Sequence, residues 1–150
     1  MKERGFTLIE FLVVLAIIGI ITTVIILSLS DFRENQTLKG DVEKVFSVIS
    51  EARSKTLASV DASSYGVHFE SGKVVLFKGT FYSAADPDNE EMTINDLLEI
   101  SDISLNGAGS DVIFKRLTGE TEEYGNITIR VKADTSKNKI ITITSTGIAS

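Results

Sequence analysis

The sequence predicts an α+β protein: a long N-terminal α-helix, its first half apolar enough to lie in a membrane, packed through its second half on a C-terminal antiparallel β-sheet head. Three observations lead there. Twenty consecutive residues, 11–30, carry no charge. Apolar residues then recur at helical spacing to about residue 60, and beyond residue 64 the pattern changes to short β-rich runs separated by turn residues.

The uncharged run FLVVLAIIGIITTVIILSLS would cover about 30 Å as a helix, the thickness of a bilayer's hydrocarbon core. Lys2 and Arg4 precede it, whereas Asp31, Arg33 and Glu34 follow, so unbalanced positive charge lies on the N-terminal side. The positive-inside rule then places the N-terminus in the cytoplasm and residues 31–150 outside, with the helix in the cytoplasmic membrane. A cleavable signal peptide competes, because Ser28, Leu29 and Ser30 resemble a small-x-small cleavage site. Its apolar region would be longer than the usual stretch of about 7–15 residues, and it would contain the carboxylate Glu10 near its start. A carboxylate at the edge of an apolar segment asks for a partner.

After the run, Phe32, Leu38, Val42, Val45, Phe46, Ile49, Ala52, Leu57 and Val60 fall largely at spacings of three or four. Glu34, Lys39, Asp41, Glu43, Lys44, Glu51, Arg53 and Lys55 fall mostly between them and form a solvated face. Gly40 is a weak point in an otherwise continuous helix. Counted from Phe6 to Val60, that helix would be about 80 Å long.

Strands are expected over 64–70 and 73–79, joined by a hairpin at Ser71 and Gly72, and over 98–105, 111–117, 126–132 and 139–145. Ile127, Ile129 and Val131 alternate with polar neighbours, as do Ile141 and Ile143, so each set marks a core-facing side.

Composition narrows the chemistry. A net charge of −6 gives no general attraction to nucleic acid, and with no cysteine there are no disulfides or thiolate metal sites. His68 is the single histidine and lies in a strand-like segment; a catalytic triad or a zinc site would need further partners beside it, so it reads as a structural strand residue. Asp86, Asp88, Glu90 and Glu91 could offer oxygen ligands to calcium, but they lack the spacing of a calcium loop and read as a solvated acidic loop. Residues 107–110, GAGS, precede a strand and read as a turn, since a phosphate loop follows a strand and opens a helix. The expectation is a non-enzyme without catalytic residues, metal or cofactor.

The N-terminal residues MKERGFTLIEFLVVLAIIGII resemble the leader and N-terminal methylation motif of type IV pilins and type II secretion pseudopilins. The resemblance implies a leader of residues 1–5, removed by a prepilin peptidase between Gly5 and Phe6, with N-methylation of Phe6. It also implies an assembly role for Glu10, whose carboxylate would pair with the N-terminal amine of a neighbouring subunit. Phe6 and Glu10 stand one helical turn apart, which puts amine and carboxylate at similar depth. Gly5, without a Cβ, would let a protease approach the backbone.

The implied organisation is a leader 1–5, a membrane and assembly helix 6–30, its amphipathic continuation 31–63 and a pilin-like head 64–150. The order SYGVHF, VVLFKGTFY, SDVIFKRLTGE and ITITSTGIAS is similar to the GspH/FimT-like minor pseudopilins. The resemblance therefore implies a minor pilin or pseudopilin of a type II secretion pseudopilus or type IV pilus, with other such subunits as partners. Two alternatives stand beside it: a DNA-binding minor pilin using Lys115, Arg116, Arg130, Lys132, Lys137 and Lys139, and a membrane-anchored enzyme. Nucleic acid is not an expected partner, because the terminal STGIAS carries no basic side chain.

Overall fold

A computed structural model describes residues 7–150, apart from the side chains of 24–28. One helix, α1, runs from Leu8 to Leu57, followed by a 3-10 turn over Val60–Ala62 and seven strands. Glu10 in the first turn and Lys55 in the last complement the helix dipole. Gly40 does not interrupt the helix.

The chain divides into two compact units, Met1–Asn35 and Gln36–Ser150. In the first, the apolar side chains Leu8, Phe11, Leu15, Ile18 and Ile21 are about half exposed or more. Thr22 and Thr23 turn their hydroxyls back to the carbonyls of Ile18 and Gly19, at 2.8 and 2.9 Å, so neither leaves a donor free. Among the described residues no helix is long and apolar enough to cross a membrane. The expected span 11–30 includes 24–28, whose side chains lie outside the described residues.

In the second unit, α1 buries Leu38, Asp41, Val45, Ile49, Ala52 and Thr56, a stripe advancing by three or four residues at each step. Helix signals in the sequence extend to about Val60, but α1 stops at Leu57. Ser59, Asp61 and Ala62 all take positive φ without a glycine to ease it. Tertiary contacts hold this turn. The buried Thr56 hydroxyl donates to Ala52 and accepts the Tyr65 backbone N–H at 2.9 Å, and Lys78 reaches Asp61 at 3.0 Å.

Strands β1 (Tyr65–Glu70), β2 (Lys73–Lys78), β3 (Glu90–Thr93) and β5 (Asp111–Ile113) form one antiparallel sheet in the order β3-β2-β1-β5. Strands β4 (Leu98–Leu105), β6 (Gly125–Val131) and β7 (Asn138–Ile143) form a second antiparallel sheet in the order β4-β6-β7. The head thus has two sheets. Their inner faces meet α1 in one core that gathers Val45, Ile49, Val67, Phe69, Leu76, Phe114, Ile127, Ile129 and Ile141.

β2 is buried on both faces. Val74 and Leu76 join that core, whereas Val75 and Phe77 are buried on the opposite face, where Tyr82 folds back over the sheet. Gly66 admits the Phe77 ring: a Cβ there would lie 2.4 Å from Phe77 Cζ.

One expected strand is shorter than predicted, and one expected loop is in part a strand. The run 111–117 is a strand only as far as Ile113, because Leu117 and Gly119 take positive φ and close a turn in which Lys115 N–H bonds Glu120 O at 2.8 Å. Glu90 and Glu91, expected in a loop, lie in the edge strand β3.

Candidate functional site

The first turn of α1 is closed by its own side chains. Thr7 precedes the helix and Glu10 is its third residue. Glu10 Oε2 accepts the Thr7 backbone N–H at 2.9 Å and the Thr7 hydroxyl at 2.8 Å, while the Glu10 N–H approaches Thr7 Oγ1 at 3.4 Å. This is a capping box, in which two backbone N–H groups without helical partners each donate to the other residue's side-chain oxygen. The Thr-x-x-Glu spacing is visible in the sequence, three residues apart within the same turn as the expected Phe6–Glu10 relationship. Gly5 and Phe6 lie outside the described residues.

Ile9, Val13 and Val14 flank Glu10 in a shallow groove. The carboxylate therefore sits on an apolar helix surface with Thr7 as its hydrogen-bond partner. A cation brought to this groove would meet an acceptor already oriented along the helix edge.

Residues 1–26 match the sequence family described as the prokaryotic N-terminal methylation motif. The fold compares with the crystal structure of the type IV minor pilin FimU of Pseudomonas aeruginosa at a TM-score of 0.54. The chain is type IV pilin-like in motif and fold. That likeness covers 75% of this chain and 90% of FimU at 14% identity, so it concerns the fold alone. No curated protein sequence matches the pilin-like chain.

The remaining candidates are structural in their contacts. His68 places Nδ1 2.5 Å from Asp111 Oδ1 and Nε2 3.4 Å from Glu70 Oε1, and its ring stacks on Tyr82 at 3.9 Å. It thereby joins β1, β5 and the segment between β2 and β3. In the acidic run, Asp86 accepts the Asp88 N–H at 2.9 Å, Glu90 binds Lys55 at 2.6 Å and Glu91 binds Lys73 at 2.9 Å. The hydrogen bond to Glu91 holds the Lys73 ammonium above its ordinary pKa. Among the described residues, no group of three or more His, Cys, Asp or Glu side chains could hold a metal ion.

Residues 107–110 form a turn with positive φ at Gly107 and Ala108, and Ser110 O accepts the Phe69 N–H at 2.8 Å. Within the basic grouping, Lys115 pairs with Glu122 at 2.6 Å, Arg130 with Glu99 at 2.7 Å and Lys137 with Asp134 at 3.7 Å. Half of the six basic residues are thus neutralised, which weakens the field a phosphate backbone would meet.

Proposed function

We propose that the chain is a structural subunit, a minor pilin or pseudopilin of a type IV pilus or type II secretion pseudopilus. In this reading a prepilin peptidase removes residues 1–5 between Gly5 and Phe6 and N-methylates Phe6. Helix residues 6–30 hold the subunit in the cytoplasmic membrane with the N-terminus inside, and 31–63 connect them to an extracytoplasmic head, 64–150.

The observation that carries the reading is the methylation motif running directly into a helix with an exposed apolar surface and Glu10 in its first turn. Such a surface needs lipid or other helices around it. Glu10 connects the two states. Within one chain Thr7 satisfies the carboxylate, and in a polymer the amine freed at Phe6 of a neighbour supplies a charged partner, so assembly replaces a neutral contact by an ion pair in a low-dielectric setting.

Co-expression with a prepilin peptidase tests the reading. Intact mass should fall by residues 1–5 and rise by one methyl group on Phe6, and the processed chain should co-sediment with sheared fibres. Gly5→Leu should block processing by crowding the scissile bond. Cleavage after Ser30, or a processed chain that never enters fibres, would overturn it.

A further inference from the structure

Two of the head's sheet edges, β3 and β7, differ in charge. In the first sheet β3 is an edge strand, and the hairpin register directs Val74 and Leu76 of β2 to Met92 and Glu90. The backbone groups of Glu91 and Thr93 therefore point away from the sheet. Glu90 and Glu91 lie on this edge with side chains about half exposed, although each already touches a lysine.

In the second sheet β7 is the edge strand. Thr142 exchanges both its backbone hydrogen bonds with Ser150. By the alternation of the ladder, the backbone groups of Asn138 and Ile140 also point outward, and among the described residues no strand pairs with them. Ile140 is 58% exposed. A groove beside it is lined by Lys39, Val42, Glu43, Phe46, Lys139 and Ser150. Neither Lys39 nor Lys139 has an ion-pair partner among the described residues.

We propose that the occupant of this groove is a second copy of the chain, whose β3 adds to the β7 edge as an antiparallel strand. Glu91 then faces Ile140 and Thr93 faces Asn138. Charge on an exposed edge bars pairing with a copy of itself: an acidic edge repels an acidic edge, and a lysine-bearing edge repels its like. Here the same charges complement one another between the two edges. Because the two surfaces differ, the contact is head-to-tail, and each added copy leaves a free edge for the next, as a fibre requires. The inference deepens the proposed function and rests on that reading.

The chain has no cysteine, so disulfide trapping is unambiguous. Thr93→Cys and Asn138→Cys keep every charge and place two thiols opposite each other, within reach of a disulfide if the strands pair. In full-length protein in detergent, mixing the two single variants under oxidation should give a disulfide-linked dimer, and the double variant a ladder of higher oligomers. Lys139→Glu should reduce the cross-link severalfold, and Glu90→Lys on the other copy, the glutamate on the same face as Lys139 in this register, should restore it. The pairing is overturned if the mixture cross-links no faster than a control pair of Thr93→Cys with Leu117→Cys, or if either single variant mainly links to itself. Leu15→Cys on the apolar helix separates the two readings: helix cross-links without head cross-links overturn edge pairing and leave polymerisation standing, whereas absence of both overturns both.

Discussion

Glu10 Oε2 accepts hydrogen bonds from both the backbone N–H and the hydroxyl of Thr7. The residue proposed for assembly thus also caps the helix within a single chain. Glu10→Gln keeps an oxygen acceptor for Thr7 but removes the charge. Membrane insertion and peptidase processing should persist, while cross-linking to partner subunits and incorporation into fibres should drop severalfold. Fibre incorporation equal to wild type would disprove the pairing with a neighbour's amine and leave the capping box intact.

Thr56 ties the end of α1 to the start of β1. Its buried hydroxyl is the acceptor for the Tyr65 N–H. Thr56→Val keeps the shape and strands that donor, so stability to urea should fall by about 1–3 kcal/mol, the cost of a buried unsatisfied polar group. Thr56→Ser keeps the hydroxyl and should lose less. Equal losses for the two variants would mean that the methyl group, not the hydrogen bond, matters.

Gly66 makes room for Phe77. In Gly66→Ala the added Cβ would lie 2.4 Å from Phe77 Cζ and 2.8 Å from Val112 O, so either the ring or β5 must move. We expect a loss of roughly 1–3 kcal/mol, typical of overpacking. Gly72→Ala, with nothing within 4 Å of its added Cβ, serves as the comparison and should unfold close to wild type. A similar denaturation midpoint for both variants would contradict the close packing at Gly66.

The Ser136 hydroxyl, followed by the Ser136 backbone N–H, holds the Asp134 carboxyl below its ordinary pKa. Because the folded value is depressed, the associated stability is present above the unfolded value and is lost as pH falls through the folded one. Ser136→Ala should raise the Asp134 midpoint toward 3.8 in a carboxyl-carbon NMR titration. An unchanged midpoint would show that the hydroxyl is not the main cause.

Much of the chain was legible in one dimension because its signals are local. Val45, Ile49 and Ala52 mark the packed face of a helix by spacing alone, and Ile127, Ile129, Val131, Ile141 and Ile143 mark strand faces by alternation. The short Ser71-Gly72 turn between two β-rich runs identifies the first hairpin. At the candidate site, Glu10 and its apolar setting were visible in the sequence, and Thr7-Leu8-Ile9-Glu10 carries the capping box for a reader who sets Thr7 against Glu10.

By itself, then, the sequence determined the long helix, the strand-rich head and the motif at the N-terminus, since each depends on residues a few positions apart. Only the tertiary structure decided that Glu90–Thr93 is a strand, because its exposed Glu-Glu-Met-Thr shows no burial pattern and pairs through the backbone of β2. It also decided the division into two sheets and the stop of α1 at Leu57, where a left-handed turn without glycine is held by Thr56, Tyr65 and Lys78. Those outcomes depend on which distant backbone supplies each hydrogen bond, and a backbone N–H or C=O is the same at every non-proline position in the sequence.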